Sequence, residues 1–194
     1  MLLEEYKLEN KETVKVFDDF LPNTIESKQF LIEQIEKLLN HSNIDVHSNK
    51  KNHYAIVFGP IEYSYYKVTH KIKPMLNWMK KLCQLASIEA GYSKNYFNQI
   101  LINKFIGTGI GIHTDDEPIY KDINNKYGAV GILSIGETKE NHTFSSNRNN
   151  IELKLKAKDM SYIVMSSGII YHKVGKAKNI RYSLTFRHVP KNQL

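Results

Sequence analysis

The chain has 194 residues, a length that suits a single domain with one core, and 41% hydrophobic content is enough to build that core. Its 27 Lys+Arg outnumber 20 Asp+Glu to give net +7, a balance that favours a polyanion such as nucleic acid as partner. A single cysteine, Cys83, excludes an internal disulfide and a thiolate metal cluster, and no run approaches the 18 apolar residues of a membrane span.

The first residues, Met1 to Lys7, carry no long apolar core, so no signal peptide is expected. The protein is expected to be soluble, intracellular and monomeric, with cytoplasm and nucleus both open. Asn23 with Glu26 three positions later reads as a capping box that opens an amphipathic helix through Leu39, its apolar face formed by Phe30, Leu31, Ile35, Leu38 and Leu39. The polar stretch from Asn40 to Asn52 reads as a loop. Pro74 then starts a second helix, with Leu76, Trp78, Met79, Leu82, Leu85 and Ala86 on its packed side and Gly91 as its stop.

From Tyr96 onward strands dominate, at roughly 97–106, 110–114, 129–135, 151–156, 161–166, 169–174 and 180–188. Short strands in two sheets make a jelly roll, the cupin-like double-stranded β-helix, here expected as the core of an α+β fold buttressed by the N-terminal helices. The expected layout is one domain over 1–194. Residues to about 95 supply the helices, and about 96–190 form the jelly-roll core.

Chemistry concentrates in Ile110-Gly111-Ile112-His113-Thr114-Asp115-Asp116-Glu117. In a strand, residues two apart share a face, so His113 and Asp115 can reach one metal, and the later His172 would complete the set. Two imidazoles and a carboxylate on one face of an octahedral ion leave three positions open, the arrangement of non-haem Fe(II) oxygenases. His-x-Asp alone is a weak signal. It gains weight from its order along the chain, ahead of a lone His beside an apolar strand and then of Arg181-Tyr182-Ser183-Leu184-Thr185-Phe186-Arg187. There 181, 183, 185 and 187 point one way and Tyr182, Leu184 and Phe186 the other. Two arginines on one strand face also fit a solvated edge, but beside an iron site they suit the two carboxylates of 2-oxoglutarate.

Taken together these motifs resemble the AlkB family of Fe(II)/2-oxoglutarate dioxygenases. Phe97-Asn98-Gln99-Ile100-Leu101-Ile102-Asn103-Lys104-Phe105 is similar to a family strand, and Phe58-Gly59-Pro60-Ile61-Glu62-Tyr63-Ser64-Tyr65 to its upstream segment. The resemblance runs from about Asp18 to Val189 and implies a nucleotide-recognition lid within the residues to about 95 and a jelly-roll catalytic core over about 96–190. It implies that His113, Asp115 and His172 bind iron and form the catalytic centre. Arg181 would take the distal carboxylate of 2-oxoglutarate and Arg187 the one beside the keto group, with Asn103, Phe105 and Ser183 completing the cosubstrate site. Tyr65 would stack on the substrate base, Tyr63 would contact the flipped nucleotide, and Asp116 and Glu117 would read the base.

Four departures from the family pattern stand out. Phe105 replaces a Tyr and so loses a hydroxyl, and Ser183 replaces an Asn. The interval from His172 to Arg181 is short, which calls for a tight turn around Gly175. The basic residue expected upstream of Phe58 is either Lys51 or His53. His41, His47 and His53 sit in or beside the polar loop and His142 and His188 lack ligand spacing, so none of the five is expected to take part directly in catalysis.

The implied activity is oxidative demethylation of 1-methyladenine or 3-methylcytosine in single-stranded DNA or RNA. It would use Fe(II), 2-oxoglutarate and O₂ and release formaldehyde. A hydroxylase of a modified tRNA base, a protein or a small molecule would share the triad, and a non-catalytic RNA-binding module would need none of the five metal and arginine residues.

Overall fold

The structure, a computed structural model, describes every residue except 1, 19, 21–27, 42–44, 47–51 and 66–67; for 2–3, 41, 45–46, 63–65, 68 and 70 it describes the backbone alone. In chain order the elements are β1 (Leu2–Lys7), β2 (Thr13–Phe17), α1 (Lys28–His41), β3 (Asp45–Val46), β4 (His53–Phe58), β5 (Tyr63–Tyr65), β6 (Val68–His70) and α2 (Asn77–Glu89). They continue with β7 (Gln99–Ile106), β8 (Ile110–His113), β9 (Val130–Ile135), β10 (His142–Ser145), β11 (Leu153–Leu155), β12 (Tyr162–Met165), β13 (Tyr171–Val174) and β14 (Ile180–Arg187).

These strands build the two sheets of a jelly roll. The larger runs β1-β2-β12-β9-β14-β7-β4-β3 and the smaller β11-β10-β13-β8, while β5 and β6 pair as a separate hairpin. Alternation decides which face of the large sheet meets what. The outward residues Ile100, Ile102, Leu133, Ile135, Leu184 and Phe186 join one apolar cluster with Leu31, Ile35 and Leu39 of α1 and Met79, Leu82 and Ala86 of α2. The helices therefore buttress the sheet. Between the two sheets lies a second cluster that includes Val130, Ile132, Phe144, Ile163, Met165 and Ile170.

Several sequence expectations shift in detail. The segment before residue 96 supplies more than helices and a lid, because β1, β2, β3 and β4 all join the large sheet. The capping pair Asn23 and Glu26 lies outside the described residues. The second helix begins at Asn77, not Pro74, because Lys73 is bridged to β4 through Lys73 N–H to Val57 O (3.2 Å) and Gly59 N–H to Lys73 O (3.1 Å). Leu76 consequently precedes the helix and is exposed, whereas Trp78 is core. Gly91 ends the helix with φ +86, a left-handed conformation that only glycine adopts without strain. The polar stretch 40–52 includes the short strand β3, paired to β4. Strand β10 is absent from the sequence expectation. Thr143 and Phe144 favour strand, but the run His142-Thr143-Phe144-Ser145 is only four residues long, and the strand owes its place to pairing with β11 and β13. Among the described residues no helix is long and apolar enough to cross a membrane.

Candidate metal centre

The inner faces of β7 and β14 form a ladder of facing pairs: Phe105 opposite Arg181, Asn103 opposite Ser183, Leu101 opposite Thr185 and Gln99 opposite Arg187. Both arginines are buried, at 0% and 4% exposure, so the solvated-edge reading fails. Polar residues there point into the space between the sheets.

Across that space, β8 and β13 bring the histidines together. His113 pairs with His172, while Ile110 pairs with Val174, so β8 carries one residue more than its partner. This bulge lets Ile110 and His113, three apart, face the same way. Ile110 packs on Phe105 and Val174, and His113 meets His172 with ring centroids 4.1 Å apart. Asp115 lies beyond the end of β8, contrary to the expectation of a strand through residue 114. Its N–H donates to Gly168 O at 2.8 Å, and this bond to a distant turn holds it beside the histidines.

The ligand atoms of His113, Asp115 and His172 all lie within 4.8 Å of one another. His113 Nε2 is 3.9 Å from Asp115 Oδ1 and His172 Nε2 is 3.7 Å from Oδ2. These separations are too long for hydrogen bonds but shorter than two metal–ligand bonds of about 2.0–2.2 Å end to end. Each ring donates from Nδ1 to a carbonyl, His113 to Gly111 O (2.8 Å) and His172 to Ile170 O (3.0 Å). A carbonyl only accepts, so Nδ1 holds the proton and Nε2 the lone pair, as a metal ligand requires. Burial, with the nearby His113 ring adding to it, pushes the His172 pKa down to about 4 and keeps that ring neutral at pH 7. Burial opposes ionisation of Asp115, but Arg187, His172 and His113 outweigh it and hold the carboxyl below its usual range.

Arg187 organises this corner. Its guanidinium donates to Asp115 Oδ1 (2.6 Å) and Glu117 Oε2 (2.8 Å) and lies over the Tyr120 ring at 4.8 Å. Glu117 therefore faces Arg187, whereas Asp116 is exposed and accepts from Thr114 Oγ1 (2.7 Å). Burial raises the Glu117 carboxyl above its ordinary value against the pull of Arg187, and nearby Asp115 adds to the rise.

Arg181 stands differently. Among the described residues it meets Ser134 Oγ at 2.7 Å and His142 Nε2 at 3.4 Å, and its buried Nε and Nη1 have no hydrogen-bond partner. Burial lowers its pKa to about 10, which leaves a charged guanidinium without an anion inside the protein. Beside it, Phe105 lies under the guanidinium at 5.5 Å and stacks on His53 at 4.5 Å. His53 Nε2 donates to Asn103 Oδ1 at 2.9 Å, which brings this one of the two basic candidates upstream of Phe58 to the site; the other, Lys51, lies outside the described residues. Ser183 is buried between Asn103 and Ser134 on the flanking strands. Ser134, His142 and Tyr120 are residues that the sequence did not single out. Alternation in β9 could have marked Ser134, a lone polar residue in an apolar strand.

Tyr63 and Tyr65 lie on β5, in the hairpin with β6, and their side chains are outside the described ones. The hairpin is anchored to the core through its approach. Gln99 Nε2 donates to Ile61 O (2.8 Å), Tyr120 Oη donates to Gln99 Oε1, and a Cβ at Gly59 would stand 2.8 Å from the Gln99 side chain.

No family model matches the chain, and no curated protein matches it in sequence. Solved structures do match in fold. The structure of OsALKBH1 superposes with a TM-score of 0.74 over 97% of this chain and 100% of that one, at 13% identity. The chain thus has the AlkB-type jelly-roll fold.

Proposed function

We propose that the chain is an Fe(II)- and 2-oxoglutarate-dependent dioxygenase that removes N-linked methyl groups from 1-methyladenine or 3-methylcytosine in single-stranded DNA or RNA. The observation that carries this reading is the pairing of a three-ligand face, His113, Asp115 and His172, with the buried guanidinium of Arg181, which meets no carboxylate among the described residues. Two histidines and one carboxylate suit Fe(II) with three positions left for cosubstrate and O₂. A buried arginine suits one end of a dicarboxylate. The fold shared with OsALKBH1, an AlkB homologue, supports the same class.

When bound, iron and 2-oxoglutarate supply oxidation of a C–H bond by O₂, with release of succinate and CO₂. The residues of the chain supply position. His113 and His172 present Nε2 in a tautomer fixed by backbone carbonyls, and Arg187 holds the Asp115 carboxylate ionised and oriented. Arg181, with Asn103, Ser183 and the ring of Phe105, forms the cosubstrate wall. The apolar residues Val130, Ile132 and Phe144 keep water from the space between the sheets. Hydroxylation of an N-methyl group gives a hemiaminal, which breaks its C–N bond to yield formaldehyde and the unmodified base.

The substrate side rests on chemistry at the rim. Both methylated bases are cationic, and exposed Asp116 offers them a carboxylate. Glu117 supports the metal corner through Arg187 instead of reading the base. Tyr63 and Tyr65 supply the stacking surfaces, and net +7 draws a nucleic-acid strand.

The test is incubation with Fe(II), ascorbate, 2-oxoglutarate and matched DNA and RNA oligonucleotides carrying either base, followed by mass spectrometry, with His113→Ala as control. Loss of one methyl group that needs both 2-oxoglutarate and His113 is the expected result. Succinate without methyl loss would transfer the activity to another modified base, a protein or a small molecule. No succinate under any condition would reject the dioxygenase.

A further inference from the structure

His142 has no ligand spacing in the sequence, yet its side chain is buried at 2% exposure beside Arg181. Its Nδ1 accepts the backbone N–H of Gly175 at 2.8 Å. An amide N–H can only donate, so Nδ1 carries the lone pair and the neutral ring holds its proton on Nε2. Burial, with Arg181 and His172 adding to it, keeps the ring pKa well below 6.5, so the neutral form prevails at pH 7. The contact is built in by glycine: a Cβ at 175 would stand 2.1 Å from Glu140 O, and only a bare Cα lets this turn reach His142.

The consequence is an excess of donors. His142 Nε2–H meets Arg181 Nη2 at 3.4 Å, and Arg181 donates from every nitrogen. Neither group can satisfy the other, and Arg181 Nε and Nη1 also lack partners among the described residues. Phe105, the residue under the guanidinium, has no polar side-chain atom to offer. A carboxylate oxygen accepting from both groups resolves the conflict.

We propose that His142 donates from Nε2 to the distal carboxylate of the cosubstrate and, with Arg181, makes this site select a 2-oxo dicarboxylate over a 2-oxo monocarboxylate. The proposal rests on the cosubstrate reading above.

The experiment uses the full chain loaded with Mn(II) under argon and measures binding of 2-oxoglutarate and of 2-oxobutyrate, which lacks the distal carboxylate, by calorimetry. Native protein, His142→Leu and His142→Gln are compared, with thermal melts as a check of folding. Loss of one hydrogen bond to a charged group should weaken 2-oxoglutarate roughly 10- to 100-fold in His142→Leu. Binding of 2-oxobutyrate should barely change, and His142→Gln, which keeps an N–H donor, should recover part of the loss. In ¹⁵N-histidine NMR of the native protein loaded with Zn(II), a diamagnetic ion, the His142 Nε2–H signal should move with 2-oxoglutarate and not with 2-oxobutyrate. Unchanged 2-oxoglutarate affinity in folded His142→Leu, equal losses for both ligands, or a static Nε2–H signal would each overturn the role of His142. If His142→Leu does not fold, His142→Gln and the native NMR signal decide. Failure of the native protein to bind 2-oxoglutarate would instead overturn the cosubstrate reading, and the role of His142 with it.

Discussion

His113 and His172 are direct partners across the β8–β13 ladder, which puts both rings on the same side, 4.1 Å apart between centroids. Each ring commits its Nδ1 proton to a backbone carbonyl, so the pair is preset for a metal before one arrives. Preorganisation of this kind makes metal binding a stabilising ligand interaction. At a metal concentration about 100-fold above Kd the folded state gains roughly 2.7 kcal/mol. For a chain of this size that corresponds to a rise in Tm of about 5–10 °C. His113→Ala should abolish the rise with Fe(II) or Mn(II) while leaving the metal-free Tm much less affected. Differential scanning fluorimetry across a metal titration checks it, and an undiminished rise in the variant would remove His113 from the ligand set.

Asp115 owes its place to Gly168, whose carbonyl accepts the Asp115 N–H at 2.8 Å. A Cβ on residue 168 would stand 2.3 Å from Asp115 O, a backbone atom that can only move away. Gly168→Ala should therefore shift the carboxylate and weaken metal binding by tenfold or more, on the order of 1.4 kcal/mol, even though residue 168 offers no ligand atom. Metal content measured after dialysis at fixed free metal distinguishes this from a neutral change.

Gln99 links the metal corner to the hairpin that bears Tyr63 and Tyr65. Tyr120, which lies under Arg187, donates to Gln99, and Gln99 donates to Ile61 O. Gln99→Leu removes the bond from the Tyr120 hydroxyl and the bond to Ile61 O together and should cost roughly 1–3 kcal/mol of stability. In the demethylation assay it should raise KM for the methylated strand and leave that for 2-oxoglutarate unchanged. Parallel increases in both constants would show that the chain of bonds merely supports the fold.

Helix α1 is tied to the sheet by Glu36, which accepts from Lys104 (2.6 Å) and from the Tyr182 hydroxyl. Burial raises the Glu36 carboxyl, but those two partners outweigh it and hold its folded pKa below the ordinary glutamate value. A carboxyl depressed on folding adds stability above its unfolded pKa and loses it as pH falls through the folded one. Glu36→Gln should lower Tm at pH 7, and the gap to the native protein should close as pH falls below about 4. A gap that stays constant from pH 7 to pH 3 would contradict an ionised role for Glu36.

The sequence by itself determined what depends on local period and residue type. Alternation in 181–187 separates the residues that line the site from Tyr182, Leu184 and Phe186, which meet the helices, and the structure keeps that division. Gly91 had to end α2 for a backbone reason internal to residue 91. The His-x-Asp run and His172 could be picked out as candidate ligands by type and order alone.

Only the tertiary structure decided which groups meet. Nothing near residue 115 announces Gly168, and nothing near His142 announces Gly175 or Arg181, because those partners arrive through strand pairings between distant segments. The same holds for the charges. Arg187 found two carboxylates of its own chain and Arg181 found none among the described residues, although both stand on the same face of one strand. Side-chain period fixes the direction in which a residue points, but non-local pairing fixes what stands opposite, and in a buried site the partner sets the charge.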